Sequence, residues 1–297
     1  MNSSPLKTAL YVSSAMLAFA GNSILCRLAL AEGAIDAASF TLVRLVSGAI
    51  TLAVLTIALH SNALSSPLNW RKSDILGAIM LFGYAATFSF SYVNMATGTG
   101  ALILFASVQF SMIGFHIISG NRMSHWEWGG LFMSLAGFGY LLIPNATRPD
   151  IGAAVLMAIA GLCWAVFTLL GKRTSDRPAL MTMSISFLWA SLLGAICAAV
   201  WGTFQSHSLE IADISSRGLL LAVLSGAIAS GVGYAIWYAV LPKLSILRAS
   251  VVQLSVPAIA AFGGWLALSE PITVSATIST LLILGGIALV FAARGNE

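Results

Sequence analysis

The chain is divided into apolar runs of about twenty residues, and that rhythm limits what it can become more than any single motif does. A hydrocarbon core about 30 Å thick is crossed by roughly 20 helical residues rising ~1.5 Å each. Ten such runs are read, over residues 8–30, 37–59, 74–92, 97–119 and 126–143, then 150–171, 181–203, 218–238, 246–268 and 273–292. Turn formers join them: Ser65-Ser66-Pro67, Pro144-Asn145, Arg177-Pro178 and Glu270-Pro271. Hydrophobic residues make up 59% of the chain and charged ones 8%. A soluble surface needs about a quarter charged residues, so lipid is the solvent that fits. The expectation is an all-α, multi-pass membrane protein with no separate soluble domain.

Orientation is read from the basic residues. With a cytoplasmic N-terminus, Lys7, Arg71, Lys72, Arg122, Lys172, Arg173, Arg177, Lys243, Arg248 and Arg294 lie inside, and only Arg148 and Arg217 outside. An even number of spans then leaves the C-terminus cytoplasmic too. Lys7 and Ala18-Phe19-Ala20 imitate a cleavable signal, but the apolar run continues to Leu30, too long for a signal core. The pI near 9.2 implies no nucleic-acid partner, because the basic residues sit in short loops. Cys26, Cys163 and Cys197 all fall inside apolar runs and form no CxxC pair; they read as core residues.

The sequence also echoes itself. Trp237-Tyr238 leads through Pro257 to Ser269-Glu270 and Gly285-Gly286, as Ser91-Tyr92 leads to Ser119-Gly120-Asn121 and Gly137. Ser47-Gly48-Ala49-Ile50 is likewise echoed by Leu193-Gly194-Ala195-Ile196. The expected units are 1–149 and 150–297, five spans each. An odd span count per unit inserts the second one upside down, a design that places a site at the midplane between halves.

Catalytic constellations are missing. The ten acidic residues fall in loops or near span ends, so no carboxylate relay is expected at depth. The sequence has no Walker A motif, H-E-x-x-H or G-x-S-x-G, so neither ATP use nor these hydrolytic chemistries are expected, and no cofactor or metal. Gly231-Val232-Gly233 is a fragment inside a span and carries no nucleotide meaning.

Polar groups inside spans are the remaining candidates. Arg44 lies about seven residues, roughly 10 Å, from the outer end of span two. It is either an anchor for a ligand carboxylate or a snorkelling or carbonyl-bound brace between helices, and the brace is the commoner use. Arg27, nearer a span end, can snorkel. Tyr84, Phe88 and Tyr92 share one face of span three. Tyr92, Trp237 and Tyr238 sit near span ends and read as an interfacial belt. Tyr84 and Trp164 lie deeper; each is a cavity wall or a packed residue whose polar atom is satisfied. The amides Asn22, Gln109 and Gln253 bond across helices or face a wet cavity, the first being the more common. His116 is a lone histidine with a packing reading and a proton-acceptor reading. With Arg44 the only cation well inside a span, a neutral or zwitterionic, partly apolar solute fits better than a phosphate, which leaves nucleobases, vitamins and amphipathic drugs open beside amino acids.

These features resemble the two EamA-type repeats of the drug/metabolite transporter superfamily. The resemblance rests on Tyr234, Trp237-Tyr238, Arg248-Ala249-Ser250, Pro257, Gly264-Trp265, Ser269-Glu270 and Gly285-Gly286 in the second half, and on Phe19-Ala20-Gly21-Asn22-Ser23, Arg27 and Arg44 in the first. It departs at Val108 and Asn121, where Pro and Glu are usual. Within the superfamily the chain is most similar to YddG-type aromatic amino-acid exporters. That similarity implies ATP-independent export of aromatic and hydrophobic amino acids across the inner membrane, through a cavity contacted by spans one, three, four, six, eight and nine. Asn22, Tyr84, Gln109, Trp164 and Gln253 are the substrate-binding candidates on those spans.

Overall fold

Only an element that satisfies its own backbone N–H and C=O groups can lie in lipid, which leaves helices and closed barrels. A computed structural model describes residues 5–31, 33–59, 72–95, 97–120, 122–142, 150–173, 178–204, 214–268 and 274–293. It is helical in each apolar stretch and has no strand among those residues. The first half contains α1 (Pro5–Ala31), α2 (Ala37–Leu59), α3 (Lys72–Val93), α4 (Thr97–Ile118) and α5 (His125–Leu142). The second begins with α6 (Ile151–Arg173) and α7 (Ala179–Phe204). Next, α8 (Ser216–Leu224) runs through a π segment (Ser225–Val232) into α9 (Gly233–Val240). The chain continues with α10 (Ile246–Gln253), α11 (Ser255–Leu268) and α12 (Val274–Ala293). Among the described residues, seven helical spans are long and apolar enough to cross a membrane, with shorter apolar segments at Gly100–Phe115 and Leu281–Val290. Ser65-Ser66-Pro67, Arg71, Asn121, Pro144-Asn145, Arg148, Arg177, Ser269-Glu270-Pro271 and Arg294 lie outside the described residues.

Several helix starts follow from local chemistry. The Asp36 carboxylate accepts the N–H groups of Ala38 and Ser39, both at 2.9 Å. Asp150 accepts from Ala153 at 2.9 Å. Ser124 and Glu127 exchange side-chain and backbone bonds at 3.2 and 2.8 Å. Ser215 and Ser245 cap α8 and α10. Each bond satisfies an amide that the first helical turn leaves without a partner. The carboxylates at span ends are thus partly used as caps.

The ninth apolar run is broken at Leu254 rather than continuous. Leu254 N–H bonds back to Val251 at 3.0 Å, and a new helix starts at Ser255. Pro257 lies in the first turn of that helix, where its missing N–H costs nothing, but it would break a continuous one.

The pairings come in twos. α3 lies on α6, and α1 lies on α9; α4 lies against α6, and α1 against α11. α2 packs on the π segment as α7 packs on α3, while α2 with α7 and α5 with α12 pair directly. The last pair is close because it meets on glycines: a Cβ at Gly130 would sit 2.7 Å from the Gly286 carbonyl oxygen. Small residues of this kind let backbones approach where no hydrophobic driving force acts. Large apolar side chains such as Leu17, Ile50, Phe110 and Leu220 point outward, as a lipid-facing surface requires.

Candidate functional site

On α1, Phe19, Asn22 and Ser23 are spaced i, i+3 and i+4, and so share a face. They form one wall of a cavity completed by Tyr84 of α3, Leu104 and Phe105 of α4, Trp164 of α6 and Tyr234 of α9. Its empty space is about 270 Å³, part of it open to the surroundings. That figure counts the open part as well, and the enclosed part has room for about one water molecule. This conformation therefore holds the walls almost together.

The rings make those walls. Trp164 packs on Tyr234 with centroids 4.7 Å apart, on Tyr84 at 5.1 Å and on Phe19 at 5.2 Å. Edge-to-face and tilted pairs of this kind are the favoured arrangements of quadrupolar rings. The indole N–H donates to Gln253 Oε1 at 2.6 Å, and Gln253 Nε2 donates to the Ala249 carbonyl at 2.8 Å. Asn22 Nδ2 donates to the Tyr84 hydroxyl at 3.4 Å, and Ser225 Oγ donates to Asn22 Oδ1 at 2.7 Å. The π segment supplies Ser225. It also supplies Ser230, whose Oγ accepts from Arg44 Nε at 3.0 Å. Wide turns inside helices often occur at functional positions.

Of the five candidates, Asn22, Tyr84 and Trp164 are brought into one cavity wall. Gln253 lies one layer behind, holding the indole in place. Gln109 is buried in α4 but is not among the lining residues, and its Nε2 has no hydrogen-bond partner among the described residues. The side chain of His116 lies outside the described residues. Phe19, Ser23, Leu104, Phe105 and Tyr234 also line the cavity, and none of them is among the five substrate-binding candidates. The spacing of Phe19 with Asn22 and Ser23 was a usable signal. Leu104 and Phe105 carry none, because apolar residues at helical spacing pack against anything.

The interfacial belt is overturned. Tyr92, Trp237 and Tyr238 are 0, 0 and 2% exposed, whereas belt residues face lipid and water. The Tyr92 hydroxyl donates to the Thr97 carbonyl at 3.2 Å, and that of Tyr238 to the Phe167 carbonyl at 2.7 Å. Position near a span end does not decide which side of the helix a ring occupies. Arg27 also has a use beyond snorkelling: Nη1 donates to the carbonyls of Tyr92 and Val93 at the end of α3, at 3.0 and 3.4 Å. Arg44 does brace helices, but through hydroxyls and ring faces instead of carbonyls: Nη2 donates to the Tyr234 hydroxyl at 3.0 Å, and Cζ lies 5.1 Å from the ring centres of Tyr84 and Phe88.

A second cavity, about 240 Å³, lies between Ser73, Asp74 and Gly77 of α3, Phe167 of α6, Thr182 and Ser186 of α7, and Tyr238 of α9. Phe167 stands between the two, 5.9 Å from Trp164 and 5.3 Å from Tyr238, centre to centre.

Residues 151–292 match the EamA-like transporter family. An uncharacterized protein of Pseudomonas aeruginosa is 43% identical over 288 residues, 97% of this chain and 96% of that protein. A probable amino-acid metabolite efflux pump of Escherichia coli is 26% identical over 241 residues, covering 73% and 78% of the two chains. One solved crystal structure superposes with a TM-score of 0.78 at 17% identity, covering 98% of this chain and 99% of the other. That likeness is one of fold.

Proposed function

This chain belongs to the EamA-like transporter family, and from that premise we propose that it exports small zwitterionic amino acids, aromatic and hydrophobic ones foremost. The export runs across the inner membrane, by alternating access and without ATP. One observation carries the substrate class. The cavity walls are five aromatic rings with Asn22 and Ser23 between them, and no charged side chain is among the lining residues. A phosphate or nucleotide-sugar needs several cations at close range. A flat apolar side chain with self-compensating charges needs rings and a few hydrogen bonds. The Escherichia coli relative is named a probable amino-acid metabolite efflux pump, which fits an amino-acid-derived solute. Uptake into proteoliposomes of labelled phenylalanine, tyrosine and tryptophan, against nucleosides and cationic drugs, tests this. Aromatic amino acids are expected to enter without any imposed ion gradient, as a facilitator or exchanger allows. Preference for a nucleoside or a cationic drug would replace the substrate class. An absolute need for a proton gradient would replace the mechanism.

The architecture proposed is ten crossings in two inverted halves, 1–149 and 150–297, with both termini cytoplasmic. The paired packing supports it, since numbering each span five further turns each contact into its partner: α3 on α6 becomes the α8–α9 rod on α1. Opening the cavity then means parting the halves. Among the bonds that cross between them at the cavity are those of Ser225 to Asn22 and of Arg44 to Ser230 and Tyr234. Reporter fusions at Arg148 and Arg217 should read outside and one at Lys172 inside. A cytoplasmic signal at Arg217 would contradict the inverted arrangement.

A further inference from the structure

Arg44 is sealed in the core, at 1% exposure, yet among the described residues no anionic side chain is its partner. Nε and Nη2 donate to two neutral hydroxyls, those of Ser230 and Tyr234. The rings of Tyr84 and Phe88 cover the guanidinium. The third nitrogen, Nη1, is buried and has no hydrogen-bond partner among the described residues. A guanidinium withdrawn from water needs both a counter-charge and full hydrogen bonding to recover its desolvation, and here it has neither. Two of the residues that hold it, Tyr84 and Tyr234, are also cavity walls. The charge thus sits one side-chain layer behind the cavity, and the two shielding tyrosines come from opposite halves of the chain.

We propose that Arg44 is the receptor for the substrate carboxylate, shielded by Tyr84 and Tyr234 in the closed conformation and uncovered when the halves part. The inference rests on the amino-acid reading above and names the group by which that class is recognised. A carboxylate fits a guanidinium through two parallel N–H bonds, and Nη1 already offers one of them. The aromatic rings then meet the side chain, and the incoming anion supplies the counter-charge the resting core lacks. Arg44 both braces the closed form and rewards the open, loaded one, so substrate binding and the loosening of the α2–α9 contact are linked.

The test is competition against labelled phenylalanine on the purified full chain, using phenylalanine and phenylalaninamide as competitors. Wild type is expected to prefer the acid by about 30-fold, the scale of one buried charge pair. In Arg44→Gln, which keeps a hydrogen-bonding side chain, the ratio should fall to near one through weaker acid binding. Arg44→Lys, which keeps the charge without the planar fork, should retain part of the preference. A wild-type protein that binds both competitors equally overturns the proposal, whatever the variants do. So does an Arg44→Gln protein that keeps the preference. If no amino acid competes or binds in wild type, while another solute of the transport panel does, it is the amino-acid reading itself that has failed.

Discussion

Trp164→Ala should lower transport of aromatic amino acids about tenfold or more, equivalent to ~1.4 kcal/mol of lost transition-state or ground-state binding, while the protein still inserts and is recovered intact. Trp164 touches three of the other rings that line the cavity, those of Phe19, Tyr84 and Tyr234. Ring pairs contribute roughly 0.5–1.5 kcal/mol each beyond their area, so truncation removes both a wall and what orders the neighbouring walls. Gln253→Ala should act in the same direction by a different route. It leaves the indole N–H without its acceptor in a sealed core, a loss of about 1–3 kcal/mol, and lets the indole turn. Trp164→Phe keeps a ring without the donor and should fall between the two. The measurement is initial uptake rate into proteoliposomes, normalised to inserted protein. Wild-type rates in Trp164→Ala, Tyr84→Ala and Gln253→Ala together would place the transport path elsewhere.

Arg44→Ala should instead show its largest effect on the yield of folded protein. The side chain ties α2 to the π segment and α9, and it lies against two rings of α3. Its truncation leaves the Ser230 and Tyr234 hydroxyls without the partner they have here, at ~1–3 kcal/mol for each buried group left unsatisfied. It also removes two cation–π contacts, of about 0.5–2 kcal/mol each. Truncation is the informative change, because refilling the space with a long apolar side chain can be neutral or stabilising where a buried charge is removed. Detergent-extracted, monodisperse protein should drop several-fold and its thermal midpoint should fall. A wild-type yield and midpoint would show that Arg44 braces nothing. Arg44→Gln, which can still bond a hydroxyl, should keep enough folded protein for the competition measurement.

How far the candidate site was legible varies residue by residue. Asn22, Tyr84 and Trp164 were identifiable because each puts a polar atom deep in an apolar run, where the energetic demand for a partner is local and visible. Gln253 was found for the same reason but with another outcome: its demand is met by Trp164 and the Ala249 carbonyl, behind the cavity instead of in it. Gln109 shows that depth alone does not choose a face. The end-of-span rule failed for Tyr92, Trp237 and Tyr238, since it states a height along the membrane normal and is silent about rotation around the helix axis. Phe19 and Tyr234 entered the cavity through their neighbours.

The helix positions, the apolar lipid-facing exterior and the family were determined by the sequence alone. Runs of apolar residues and polar caps such as Asp36 and Ser124 act within a few residues of themselves, so neither needs a third dimension to be read. The break ahead of Pro257 belongs to the same class, though only the fold showed that the chain uses it. What the tertiary structure decided is the azimuth of each helix and hence every partnership across helices. Within lipid the rotation of a helix is set by steric fit and by where a few polar atoms find each other, not by the hydrophobic contrast that orients helices in water. Arg44 meets Tyr234 across 190 positions of sequence, and Ser225 meets Asn22 across 203. No local pattern encodes such distances. They arise when the two halves pack against each other, and the cavity is formed by that packing.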